Sequence, residues 1–182
     1  MLKDGWQTEV LDFWFSELTP EQWYKKDDAV DRTIVERFGA LHHDVAATDN
    51  AVLSATRETA LAAIIVLDQF ARNMFRGSPK SFSGDAKARA LANAALSSGF
   101  DEPMSNQEKQ FLYMPFMHSE TLADQDRAVA LFEKLGNENS LKFAHLHRDP
   151  IAAFGQFPHR NAVLGRPTSP AEAAWIEEHG GF

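Results

Sequence analysis

Residues 57 to 75 read RETALAAIIVLDQFARNMF, and this stretch decides the fold. From Ala60 to Leu67 it is apolar on every side of a helix, with no period-two alternation and no glycine or proline to interrupt it. A run of that kind is far too short for a bilayer, which takes about 20 residues, so it reads as a helix through the middle of a helical core. Gly77-Ser78-Pro79 stops it.

Working outward, helical punctuation recurs on both sides. Asp27 to Ala47 carries Val30, Ile34, Phe38, Leu41 and Val45 at steps of three and four, the stripe of an amphipathic helix. Thr19-Pro20-Glu21-Gln22 combines a capping Thr, a first-turn Pro and a capping-box Gln, which predicts a helix start, and Asp49-Asn50 predicts a turn. Asp85 to Ser98 is an Ala-rich helix closed by Gly99, and Ser105-Asn106-Gln107-Glu108 is a full capping box for a helix reaching His118. Thr121-Leu122-Ala123-Asp124 opens another that ends near Gly136. Asn137 or Asn139 caps the next, expected to run to Asp149, where Asp149-Pro150 reads as a fresh cap and restart up to Gly155. Ser169-Pro170-Ala171-Glu172 opens the last helix, around Trp175. The fold class is all-α, with short loops favouring antiparallel helical hairpins.

The 182 residues suit one domain, 1 to 182, with 44% apolar and 24% charged residues in ordinary globular proportion. A net charge of −8 with no run of Lys and Arg argues against nucleic acid and against anionic membrane surfaces. The absence of cysteine removes disulfides, thiolate metal sites and Cys nucleophiles. Met1 to Glu9 is polar and lacks the apolar core of a signal peptide, so a cytoplasmic location is expected. There is no glycine-rich phosphate loop, HExxH helix or nucleophile elbow, and no cofactor or metal is expected. Nothing in the sequence sets an oligomeric state.

Polar residues gather in three places. At 100° per residue, Leu61, Ile65, Asp68 and Arg72 share a stripe, and Gln69 and Asn73 the neighbouring one. Asp68 and Arg72 read either as a buried i,i+4 ion pair or as a carboxylate orienting a guanidinium toward an anion, with the two amides adding hydrogen bonds. His118 follows Phe111, Met114 and Pro115 on one face, and Pro115 is expected to kink that helix and leave a carbonyl near residue 111 unpaired. Glu120 reads either as an anion answering the next helix's dipole or as a partner of His118. The third cluster comprises His145, His147, Arg148 and Asp149, then His159, Arg160 and Asn161. His145 and His147 point about 200° apart on a helix, which excludes a shared metal from that element. His147 is the inward one, on a stripe with Phe143, Ile151 and Phe154. Phe157-Pro158-His159-Arg160-Asn161 reads as a turn presenting three hydrogen-bonding side chains, a pattern that suits binding more than core.

Three segments carry a family resemblance: Leu67-Asp68-Gln69-Phe70-Ala71-Arg72-Asn73-Met74-Phe75-Arg76-Gly77, Phe111-Leu112-Tyr113-Met114-Pro115-Phe116-Met117-His118-Ser119-Glu120, and Phe154-Gly155-Gln156-Phe157-Pro158-His159-Arg160-Asn161. Together with Val10 to Phe15 and Trp23 to Asp27, they make the chain similar to the bacterial domain of unknown function 924. The resemblance implies a tetratricopeptide-like array of antiparallel helices with a concave face, and it implies no activity. Ala71, Pro150 and Gln156 depart from the family pattern, where Pro, an aliphatic residue and a basic residue are usual.

These residues support three expectations about function. The leading one is binding of an anionic small molecule or peptide carboxylate by Asp68, Gln69, Arg72, Asn73, His118, His147, Arg148, His159, Arg160 and Asn161. The second is a hydrolase or lyase using His118 and Glu120 as acid and base. The third is a scaffold whose buried polar networks fix helix packing.

Overall fold

The computed structural model describes residues 2–181, and among them every regular element is helical. Chain packing divides them into two compact units, residues 1–76 with 80–115 and residues 77–79 with 116–182. No helix among the described residues is long and apolar enough to cross a membrane.

The first unit is organised around the stretch quoted above. Helix α1 (Trp6–Asp12) continues as a π-helical turn, Phe13–Glu17. Helix α2 (Asp28–Ala47) follows, with the Asp27 carboxylate accepting from the Ala29 and Val30 N–H groups, and then the short α3 (Asn50–Leu53). Helix α4 (Arg57–Ile64) runs on through a π-helical segment, Ile65–Phe70, into α5 (Ala71–Met74). Every residue from Ala60 to Leu67 is 1% exposed or less, so the all-round apolar run is the centre of this unit. Phe13, Phe38 and Phe70 pack with ring centroids 4.8 to 5.9 Å apart, and Trp14 meets Phe70 and Phe111 at 5.7 and 5.3 Å. Contacts of this geometry add about 0.5 to 1.5 kcal/mol each to the burial itself. Helix α6 (Asp85–Ser97) starts at Gly84, where an added Cβ would collide with the Leu67 carbonyl. Helix α7 (Asn106–Met117) opens on the predicted Ser105–Glu108 capping box.

The second unit holds α8 (Leu122–Leu135), α9 (Glu138–Phe154), a 3-10 turn (Pro158–Arg160), α10 (Asn161–Leu164) and α11 (Pro170–His179). Gly136, at φ 75°, ends α8, and the Asn137 side chain accepts from the Ser140 N–H to start α9. The link is short and Asp126, early in α8, pairs with Arg148, late in α9, so the two form an antiparallel hairpin.

Three local expectations are corrected. Residues 20–24 form a turn and not a helix. Gln22 does accept from the Thr19 N–H, but Asp27 already caps α2 a few residues on, too near for a costly helix nucleus to be worth forming. Trp23 is instead fixed by donating to the Trp14 carbonyl at 2.8 Å. Asp149-Pro150 does not restart the chain, because α9 continues through Pro150 to Phe154. Pro150 is buried beside the rest of the helix, and the packing offsets the hydrogen bond it cannot donate. Phe143 lies outside the His147 stripe: it is 42% exposed while His147 is 6% exposed. Helix α7 likewise remains one element across Pro115.

Candidate functional site

In the first unit, Asp68 is fully buried and Arg72 half-buried. The Arg72 guanidinium lies 3.1 Å from Asp68 Oδ1 and donates to both oxygens of Asp85, at 3.0 and 3.1 Å. It also donates to the Asp68 carbonyl at 2.7 Å. Burial opposes the charge of Arg72, and the two carboxylates outweigh that opposition, so its pKa lies above the ordinary arginine value. Gln69 donates to Asp68 Oδ2 at 2.5 Å and approaches the Met114 sulfur at 3.4 Å. Asn73 donates to Asp31, which also holds Arg76. The ion pair at i,i+4 is therefore present and gains a second carboxylate from the start of α6. Gln69 and Asn73, on one predicted stripe, serve different partners, because the intervening π-helical segment departs from 100° per residue.

The second unit builds its site on the connector from α7 to α8. The carbonyls of Met117 and Ser119 each accept from Gln125 Nε2 at 2.7 Å, and that of His118 accepts from Arg160 at 3.2 Å. Ser119 donates to Asp124 at 2.7 Å. This fixes the backbone on either side of His118 and tethers the 158–160 turn to it. Glu120 reaches in the same direction. Its carboxylate accepts from the Phe157 N–H at 2.8 Å and from both terminal nitrogens of Arg166, at 2.7 and 2.9 Å. Burial alone would raise the Glu120 pKa, but the Arg166 fork and the Phe157 N–H lower it below the usual carboxylate value.

Behind this connection lies a second polar layer. Arg166 Nε donates to Asn161 Oδ1 at 2.9 Å, and Asn161 donates to Glu172 at 3.1 Å. Glu172 also accepts from Gln156 at 2.6 Å and closes the predicted capping box with Ser169. The Gln156 bond, followed by those from Ser169 and Asn161, holds its pKa down to about 2. Residues 156–161 are thus positioned from both sides, by Glu120 through Arg166 and by the first turn of α11.

What this framework presents is a group of imidazoles around Phe157, which is fully buried. The His118 and His147 rings are 5.9 Å apart, His147 and Phe157 are 5.9 Å apart, and Phe157 and His159 are 5.5 Å apart. The Arg160 guanidinium sits 4.4 Å above the Phe157 ring. His147 Nδ1 lies 2.8 Å from the Phe143 carbonyl, so it carries the proton and Nε2 of the neutral ring is an acceptor. Burial, reinforced by the charge of His118 and further by Arg160 and His159, pushes the His147 pKa down to about 3. His118 and His159 are half-buried.

The structure therefore brings together His118, His147, His159 and Arg160 within the second unit. Asn161 and Glu120 belong to the layer that supports them. Arg148 instead pairs with Asp126 at 2.6 Å on the outside of the α8–α9 hairpin, and His145 is exposed. Arg166, Gln125, Glu172 and Asp85 were not among the sequence candidates. Arg166 lies in a Gly-Arg-Pro link with no periodicity, whereas Glu172 was visible as a capping residue and carried no sign of its second role. No group of three metal-ligating side chains occurs among the described residues.

No functionally curated protein matches the chain. A solved structure of a protein of unknown function from Agrobacterium tumefaciens is similar to it, at 37% identity and a TM-score of 0.89, covering 94% of this chain and 97% of that one. Residues 10–180 match the family described as bacterial protein of unknown function (DUF924). The motifs, the helical fold and these two matches agree, and the chain belongs to the DUF924 family.

Proposed function

We propose that the second unit binds an anionic small molecule or a peptide carboxylate, with Arg160, His118 and His159 as the recognising groups and the Phe157 face as the apolar floor. One observation carries the reading: a chain of net charge −8 draws three imidazoles and a guanidinium around a single buried ring. Charge-assisted hydrogen bonds from such groups are the stronger class, and a guanidinium suits a carboxylate or phosphate in two-point contact. His147, kept neutral, shapes the floor and accepts a hydrogen bond at Nε2. In keeping with the family resemblance, the α8–α9 hairpin is one repeat of a tetratricopeptide-like array.

Acid-base catalysis by His118 with Glu120 is less well supported. Glu120 is committed to Arg166 and Phe157, and its lowered pKa makes it a poor proton acceptor. The scaffold reading applies to the Glu120–Arg166–Asn161–Glu172 layer, which holds the loop.

The test is a thermal-shift and calorimetric screen of phosphate, di- and tricarboxylates and short acidic peptides at pH 6.5. Arg160→Gln is expected to weaken a binding anion about tenfold or more, and Arg160→Lys less, in line with the loss of about 1.5 to 3 kcal/mol for a charged hydrogen bond. Equal affinity in the parent and Arg160→Gln, or no anion binding to the parent, refutes the proposal.

A further inference from the structure

Helix α11 is seated on the same loop that carries the imidazoles. Its first turn is closed by the Ser169–Glu172 capping box, and Glu172 holds Gln156 and Asn161, which flank Phe157, His159 and Arg160. Its last turn is stiffened by His179, whose ring stacks on Trp175 at 4.8 Å and 12° and whose Nδ1 lies 3.0 Å from the Trp175 carbonyl. The helix ends abruptly at Gly180. That residue donates to the Ile176 carbonyl at 2.7 Å and has φ 70° and ψ −148°, a conformation that only glycine adopts readily. The turn sends the chain back across the site. At Gly181 a Cβ would lie 3.5 Å from His159 Cβ, 3.6 Å from Cγ and 3.7 Å from Cδ2, so the backbone there runs along the side of the imidazole.

We infer that Gly180 and Gly181 form a displaceable strap over His159 that governs access of an anion to the His118–His159–Arg160 cluster; this rests on the anion-binding reading above. Both residues are exposed, and neither has a side chain with which to anchor the contact. Gly181 meets His159 through van der Waals contact, which is weak for any one atom pair. Two consecutive glycines also regain more backbone freedom on release than other residues do. A rigid helix end, a glycine-only turn and a lightly held crossing give a hinge at Gly180 and a cover beyond it. Apparent anion affinity is then the intrinsic affinity reduced by the fraction of molecules in which the strap is lifted.

The inference predicts that loosening the strap both uncovers His159 and tightens anion binding. Two variants do this by different routes: truncation after His179, and Gly180→Ala, which keeps the length but disfavours the positive φ. His159 exposure is read as the rate of its carbethoxylation by diethylpyrocarbonate, followed by mass spectrometry, and binding is read by calorimetry with inorganic phosphate. Both variants are expected to react about threefold or more faster at His159 and to bind phosphate more tightly by a similar factor. Unchanged His159 reactivity in both variants overturns the strap. Faster reactivity with phosphate affinity equal to the parent's overturns its control of the site. Faster reactivity with no phosphate binding in parent or variants overturns the anion-binding reading while the cover over His159 stands.

Discussion

Acidification should destabilise the protein through His147 in a way that one substitution removes. The folded pKa of His147 is about 3, set by burial first and by the neighbouring charges of His118, Arg160 and His159. An unfolded histidine titrates near 6.5, so the unfolded chain takes up this proton first as pH falls. Above pH 6.5 neither state is protonated there and His147 contributes no pH dependence. Between 6.5 and 3 stability is lost, and below 3 the loss is complete. At pH 5 the unfolded state has gained about 1.5 pH units of proton binding that the folded state has not, which corresponds to about 2 kcal/mol. His147 is 6% exposed, so little solvent screening reduces this figure. Urea unfolding followed by circular dichroism at pH 7.5 and pH 5.0 measures the loss in the parent and in His147→Asn, whose amide can still donate toward the Phe143 carbonyl but does not titrate. The parent should lose about 2 kcal/mol more than the variant over that interval. A direct check is the carbon-13 shift of the labelled His147 ring, expected to stay neutral well below pH 5. Equal losses in parent and variant, with a ring midpoint near 6.5, would refute the placement of His147 in a dry, positively charged surrounding.

Other outcomes follow from the same geometry. Glu120→Gln breaks the two-point contact with Arg166 and weakens the hold on Phe157, and should cost about 2 kcal/mol in urea unfolding at pH 7, vanishing as pH falls through the lowered Glu120 pKa. Asp68→Asn removes one carboxylate from the buried side of Arg72 and should cost about 3 kcal/mol, with Asp85→Asn, nearer solvent, costing less in the same measurement. Gly84→Ala forces a methyl against the Leu67 carbonyl and should cost about 2 kcal/mol or more, read as a lowered urea midpoint with an unchanged slope.

The sequence displayed its helices better than its contacts. Capping boxes at Ser105 and Ser169, the Asn137 cap and the all-round apolar run from Ala60 are local signals, and each appears where the residues place it. Thr19-Pro20 carried an equally good cap signal and produced only a turn, because propensity within a few residues yields to the next helix start and to Trp23 docking on Trp14. His147 was legible as the inward histidine from helical spacing. Its meeting with His118 was not, since that depends on a connector held by Gln125 and Arg160. Partners such as Asp85 for Arg72 and Arg166 for Glu120 lie 13 and 46 residues away and leave no periodic trace. Pro150 misled because a buried proline late in a well-packed helix resembles a helix start when only its neighbours are read.

The π-helical segment between α4 and α5 has a consequence for how the chain tolerates insertions and deletions. Hydrogen bonds there span one residue more than in an α-helix, so the segment carries the equivalent of a one-residue insertion absorbed inside a continuous rod. Deleting a single residue between Ile65 and Phe70 would allow ordinary α geometry and leave the rod intact. Everything beyond it would be turned by about 100°, carrying Arg72 away from Asp85 and Asn73 away from Asp31. A chain one residue shorter at this point would keep its helix and its core composition, yet lose the carboxylate partners of both side chains.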